Sequence, residues 1–541
     1  MELPELHKIK IMKTQKSHFL LFIAIISSSF LYAQLPTNGL DVQHYAFNIA
    51  LNDNTNIIKG KAIITTSFTK NENNVVFDLV NKIANGKGMT VLSVTKNNQN
   101  LEFSQDAQHL IINDKEIFGQ ENTYTINYEG IPIDGLIIGK TKNGTRSFFA
   151  DNWPNRAHNW IPCNDHLSDK ATVEFTVTAP DHYQVVSNGR EIEETNLPKN
   201  MKLTHWKSDI PLSTKIMAIG VTKFAVNNLG NTEGIPLSEW VFPEDRNEGF
   251  KSYDYSKEIL KFYVSKIASF PFEKLANVQS KTIFGGMENA SCIFYDENSV
   301  KSKGVESLMA HETAHQYFGD NVTEKDWPHL WLSEGFATYM TDLYIENKYG
   351  KDSLQTLLKQ QRSQVINFSK IFKQPVVDSS ESNNLMRLLN ANSYQKGAWV
   401  LHMLRRKIGD DLFWKSVRSY YETYKGKNTT TEDLEKIVEE VSHQDLKTFF
   451  QQWLFTAGQP ELKIDWKYNH VTKKATVNIE QTQDYLFEFP LSVAFNNGNE
   501  TVLKTFNIKN KLSQEEFPIS FEPKELKIDP NVDLLLEMVK K

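Results

Sequence analysis

The chain has 541 residues, 40% of them hydrophobic and 23% charged, and a formal net charge of −6. This is a globular composition with room for three or four domains at about 150 residues each. An acidic balance and a pI of about 6.2 exclude the basic surface of a nucleic-acid-binding protein. The two cysteines, Cys163 and Cys292, are too few for a disulfide framework and lie in no C-x-x-C pair, which excludes a cysteine zinc site. They are expected as buried, unpaired thiols.

In chain order, Lys8, Lys10, Lys13 and Lys16 precede an apolar run from Phe19 to Ile26, then Ser27 to Ser29 and a short Phe30-Leu31-Tyr32-Ala33 stretch. A basic region, a short apolar core and a small terminal residue read as a secretory signal peptide over residues 1–33, so export to the periplasm or beyond is expected. The run is shorter than the ~20 apolar residues a bilayer span needs, and no later segment meets that length, so no stable span is expected after leader removal. A retained anchor is the alternative, and Met12 is an alternative start.

From about Leu40 to Phe224 the pattern is strand-like. Tyr45 to Leu51, Lys61 to Phe68 and Ala171 to Val177 alternate or are β-branched, with turn clusters such as Asn52-Asp53-Asn54 between them, which predicts an antiparallel β domain. Residues 225–240 read as a connection. Beyond Tyr253 the period becomes helical: Ser256 to Phe270, Val305 to Phe318, Leu332 to Tyr349, Ala398 to Ile408, Leu412 to Tyr424 and Glu432 to Val441, the last capped by Thr430 or Thr431. Gly458-Gln459-Pro460 breaks the pattern, and Glu461 to Trp466, Ala475 to Ile479, Leu491 to Phe495 and Glu525 to Ile528 read again as strands. The expected layout is multidomain α+β: leader 1–33, N-terminal β domain 34–235, mostly helical catalytic domain 236–457 and a small C-terminal β-sandwich 458–541.

The chemistry centres on His311-Glu312-Thr313-Ala314-His315, inside the helical stretch Val305 to Phe318. Residues i and i+4 share a helix face, so both imidazoles reach one ion, and Glu312 reaches a water bound to it. The third ligand sets the class of site. A metzincin needs a glycine and a histidine where this chain has Phe318 and Asn321, so that class is excluded. Glu334 instead follows in Trp331-Leu332-Ser333-Glu334-Gly335, and a turn at Gly319-Asp320-Asn321 can fold the next helix back so that its carboxylate joins the histidines. Two His and one Glu with an open fourth position form a catalytic rather than structural arrangement. These ligands suit Zn²⁺, one ion per chain, with other divalent ions still open on chemistry alone.

Upstream lies Gly285-Gly286-Met287-Glu288-Asn289. That motif, the His-Glu-x-x-His segment, Glu334, Tyr394-Gln395-Lys396-Gly397-Ala398, Trp453-Leu454 and Pro162-Cys163-Asn164-Asp165 together resemble the M1 family of zinc aminopeptidases, the aminopeptidase N group, over about residues 40–460. The resemblance implies a thermolysin-like catalytic domain and removal of N-terminal residues from peptides. It implies roles for Glu288 as binder of the substrate α-ammonium, for Gly285, Gly286, Met287 and Asn289 as the strip that receives the peptide, for Tyr394 as donor to the oxyanion, and for Glu312 as general base. Many members place a Gln or Glu of the β domain in the first substrate pocket; here Asp151 is the candidate. Larger members carry a further C-terminal helical domain, so a short form with a more open cleft is expected, with oligomeric state left open. A thermolysin-like endopeptidase and an epoxide hydrolase resembling leukotriene A4 hydrolase are the competing enzyme readings, and a binding protein with a degenerate site the non-enzymatic one.

Overall fold

Alternation of buried and exposed side chains organises the first part of the chain. A computed structural model describes residues 39–380 and 384–539. The expected leader lies outside the described residues. Leu40–Ala50 buries Tyr45, Phe47 and Ile49 on one face, and Lys170–Pro180 buries Val173, Phe175 and Val177 opposite them in register. These two strands sit at the centre of an eight-stranded sheet that also takes in Arg190–Leu197, Met201–Ser213, Ile58–Phe68, Asn122–Ile131, Gly88–Lys96 and Gln99–Asn100.

The N-terminal β-rich region follows the expectation with one departure. Leu40–Ala50 and Lys170–Pro180 run parallel, because the long segment between them returns to the same end of the sheet. Phe47 stacks on Phe175 across that pair at 5.3 Å, and Trp160 stacks on Phe175 at 6.1 Å. A four-stranded sheet (Gln184–Ser187, Ile219–Thr222, Arg146–Ala150, Leu136–Lys140) then carries the chain toward the helical region. Its Phe149 meets Phe294 edge-on at 5.5 Å, bringing the two regions into contact.

Residues 225–240 are not a connection. They form a hairpin, Ala225–Thr232 with Ile235–Val241, that opens a five-stranded sheet. Asn227, Asn228 and Asn231 hide the apolar alternation there. The sheet continues through Leu275–Ser280 and Cys292–Asp296 and ends on the short edge strand Gly286–Met287, antiparallel to Cys292–Asp296.

The helices pack beside this sheet: α1 Arg246–Tyr253, α2 Ser256–Lys266, α3 Val305–His315, α4 Trp331–Tyr349, α5 Lys351–Ser369, α6 Gly397–Ile408, α7 Asp410–Tyr424, α8 Thr431–Ser442 and α9 Lys447–Leu454. Thr430 caps α8, its N–H donating to Asp433 at 2.9 Å. Glycine sets one crossing that matters for the site: a β-carbon on Gly335 of α4 would lie 2.9 Å from the α-carbon of Gly397 at the start of α6. Among the described residues no helix is long and apolar enough to cross a membrane.

After Pro460 two sheets face one another, a four-stranded one containing Glu461–Asn469, Lys474–Gln481, Leu512–Pro518 and Glu537–Met538 and a three-stranded one containing Phe489–Asn496, Thr501–Ile508 and Glu525–Ile528. Trp466 and Phe517 of the first meet Phe495 of the second at 6.2 and 5.9 Å. Arg362 of α5, bonded to Asp529 and to the carbonyl of Leu534, and His402 of α6, 3.1 Å from the carbonyl of Val532, tie these sheets to the helices. Cys163 and Cys292 are both buried and unpaired, as expected.

Candidate metal centre and active site

Helix α3 supplies the first two donors. One turn separates His311 from His315, and their Nε2 atoms face each other at 3.1 Å with the rings nearly perpendicular. The chain then turns tightly: Gly319 has φ of 123°, its N–H donates to Val322, and the Asp320 N–H donates back to His315. A side chain at Gly319 would overlap Ser333 as well as require left-handed backbone. This turn and the entry to α4 bring Glu334 back, its Oε2 3.4 Å from His311 Nε2 and 3.3 Å from His315 Nε2.

These three atoms form a metal-ligating group with every separation within 4.8 Å. Donors on tetrahedral arms of about 2.0–2.1 Å stand about 3.3 Å apart, which matches the observed spacings. Oε2 of Glu334 is buried without a hydrogen-bond partner, as a ligating oxygen would be. The Nδ1–H of His315 is directed to the Phe318 carbonyl at 3.2 Å and Ser333 Oγ at 3.1 Å, which leaves Nε2 with its lone pair toward the shared point. The residues therefore fit a divalent cation of the zinc type.

Glu312 is 4% exposed and lies against the edge strand. A β-carbon on Gly286 would occupy the place of its carboxylate. The strand's alternation turns Met287 into the core and Gly286 and Glu288 toward the cleft. Burial pushes the Glu312 carboxyl well above the usual range; His315 opposes this, while Glu288 and Glu334 add to it. Glu288 is itself buried, and its charge acts on His311, His315, Glu312 and Tyr394 alike. Tyr394 lies flat on His311, ring centroids 5.9 Å apart and planes 10° from parallel. Burial first, then Glu334, pushes its phenol well up, so it stays a neutral donor.

Two family models match this chain: the peptidase M1 N-terminal domain over residues 41–216 and the peptidase family M1 domain over residues 251–453. The chain belongs to peptidase family M1. Among M1 relatives, glutamyl aminopeptidase of Bitis rhinoceros is 27% identical over 67% of this chain, which spans 40% of that protein's length. The structure of Legionella pneumophila aminopeptidase A in complex with aspartic acid aligns with a TM-score of 0.79 at 19% identity, over 94% of this chain and 60% of that one. An M1 zinc metallopeptidase variant from Deinococcus radiodurans aligns with a TM-score of 0.65 at 22% identity, over 77% of this chain and 94% of that one. At these identities the two structures establish a shared fold.

The remaining expected residues of this M1 chain fall into two groups. Gly285, Gly286, Met287 and Glu288 line or support the edge strip, and Asn289 is fully buried behind it. Asp151 is also fully buried, and protein groups take both of its oxygens: Arg156 Nη2 donates to one at 2.6 Å, Thr282 Oγ1 and the Ile283 N–H to the other at 3.1 and 2.9 Å. It thus holds the segment leading into Gly285. Burial raises its carboxyl and Arg156 opposes the rise.

Sequence reasoning missed the residues that fix the M1 strip against α3. Gln316 donates to the Glu288 carbonyl and to Asp320, each at 2.8 Å, and accepts from the Ser291 N–H at 2.7 Å. Asn188 of the β region donates to the carbonyls of Ile216 and Ala290 at 2.9 and 2.7 Å. The only signal for Gln316 was its place beside His315, and Asn188 carried none.

Proposed function

We propose that this protein is a zinc-dependent aminopeptidase that hydrolyses N-terminal residues from peptides, with one ion per chain held by His311, His315 and Glu334. The observation that carries the reading is the buried carboxylate of Glu288, one residue beyond an edge strand and close enough to act on both metal-ligating histidines, Glu312 and Tyr394. A carboxylate fixed beside those groups rewards a free α-ammonium and leaves an internal peptide bond with no charge to pair with it, which favours an exopeptidase over an endopeptidase.

When bound, zinc would act as a Lewis acid on the scissile carbonyl and bring a water's pKa down toward about 7. The chain's own groups do the rest. The edge strand Gly286–Met287 offers unpaired backbone N–H and C=O groups to an extended substrate. Glu288 accepts from the α-ammonium and sets the cut one residue from the end. Glu312 takes a proton from the attacking water and returns it to the leaving amine. Tyr394 donates its hydroxyl hydrogen to the carbonyl oxygen as negative charge develops there.

The same proposal takes the two facing sheets of residues 458–541 as a small β-sandwich domain after a catalytic domain of 236–457 and a β domain of 34–235, and expects export through the N-terminal leader. Cleavage of a peptide with a free N-terminus, compared with its N-acetylated form, tests the central point. Equal rates on both would contradict the aminopeptidase reading.

A further inference from the structure

The turn that carries Tyr394 is unusual. Asn392–Lys396 forms a π-helical turn running directly into α6. Such turns are rare, occur mostly as single turns within α-helices and are frequent at functional sites. Support here comes from three of its own side chains. Asn392 donates to the carbonyls of Gln374 and Pro375 at 2.9 and 3.1 Å. Ser393 donates to the Leu388 carbonyl at 2.7 Å. Lys396 donates to the Gly458 carbonyl at 2.7 Å and, more weakly, toward that of Thr456 at 3.4 Å. Tyr394, between these anchors, is the side chain that faces His311. Helix α4 closes the turn from the other side, where a β-carbon on Gly335 would lie 3.2 Å from the Ser393 carbonyl oxygen.

Lys396 is the expensive member of the set. It is 1% exposed, and burial pushes its ammonium down to about 7. Among the described residues it forms no ion pair, and it donates to the two carbonyls. An apolar side chain of the same length would avoid that desolvation, so packing does not explain a lysine here. What the ammonium adds is reach. It ties the π-turn to residues 456–458, the junction between α9 and the C-terminal strands. That junction is braced independently: the Leu454 carbonyl accepts from the N–H groups of Val376 and Val377 at 2.9 and 3.0 Å, and Gln459 donates to Ser369 at 3.1 Å.

We propose that Lys396 is a positioning residue for the reaction: its tie to the Gly458 and Thr456 carbonyls holds the π-turn in the arrangement that presents the Tyr394 hydroxyl to the metal-ligating triad. This rests on the aminopeptidase reading. It also makes the junction at residues 456–458 a structural support of the active site.

A double-mutant cycle on the full-length, zinc-loaded protein tests the assignment. Lys396→Met should lower kcat about 10-fold, leave KM for a free N-terminus within about 2-fold and keep the zinc content, because the loss falls on transition-state stabilisation. In a Tyr394→Phe background the same substitution should cost less than about 2-fold in kcat, since the group it positions is already gone. Lys396→Gln, which keeps one donor, should fall between wild type and Lys396→Met, and it replaces the Met variant in the cycle if that variant does not fold. Equal losses in both backgrounds, a loss confined to KM, or no loss in the Tyr394-containing protein would overturn the assignment while leaving the aminopeptidase reading intact. Zinc-loaded wild type that hydrolyses no free N-terminus would sink both.

Discussion

The carboxylate of Glu312 lies against the backbone of Gly286, in the space that a side chain at position 286 would need. A β-carbon at position 286 would overlap the Glu312 carboxyl group. Glycine on the edge strand is thus required by the neighbouring helix as much as by any substrate. Gly286→Ala should displace the proposed general base and lower kcat by about 10²-fold or more, with zinc still bound. Steady-state kinetics beside metal analysis checks this, and an unchanged kcat would mean that Glu312 has another place to go.

Glu312 is adjacent to the metal-ligating group without belonging to it. Glu312→Gln should therefore keep zinc near one equivalent while kcat falls by about 10²–10⁴-fold, the usual scale for a removed acid–base group. Loss of the metal together with activity would instead make Glu312 a structural part of the centre.

Tyr394 lies flat against His311 with its phenol held neutral by burial and by Glu334. Tyr394→Phe should keep the ring contact and remove only the donor. The expected result is a drop in kcat of about 10²-fold with KM little changed, read from initial rates on one aminoacyl reporter.

Away from the site, His402 gives a test of the fold. Its ring is buried between the Tyr339 hydroxyl at 3.0 Å and the Val532 carbonyl at 3.1 Å. Burial first, then Arg405 and Arg406, pushes it from 6.5 down to about 3. The unfolded chain therefore takes up this proton before the folded one does. The contribution is fully present above pH 6.5 and is lost as pH falls toward 3, at about 1.4 kcal/mol per pH unit. The melting temperature of the wild type should fall more between pH 7 and pH 5 than that of His402→Gln. Parallel curves would place the ring in a more polar setting than the structure does.

The metal centre was the most legible part of the sequence because its signals are short-range. His311 and His315 are fixed by helical period, and Glu334 by one turn whose glycine and polar residues mark it. Helix α6 and the strand Leu40–Ala50 were likewise visible from periodicity. The supports were not, because they come from remote segments. Gln316 matters only because residues 288–291 pass beside it, and Asn188 only because the β region docks against Ala290. The hairpin 225–241 was hidden by asparagines on its exposed edge. Asp151 was singled out as a pocket residue, yet what makes it distinctive, its capture by Arg156, Thr282 and Ile283, depends on contacts from a segment far along the chain.

The central claim is that Glu288 makes the zinc centre specific for a free N-terminus. The direct measurement is kcat/KM for a peptide and its N-acetylated form, with wild type and Glu288→Ala, each with its zinc content determined. The account predicts strong preference for the free peptide in the wild type, and in Glu288→Ala a loss of about 10²-fold or more on the free peptide, chiefly through KM, with zinc retained. Equal cleavage of both peptides by the wild type, or loss of zinc from Glu288→Ala, would contradict it.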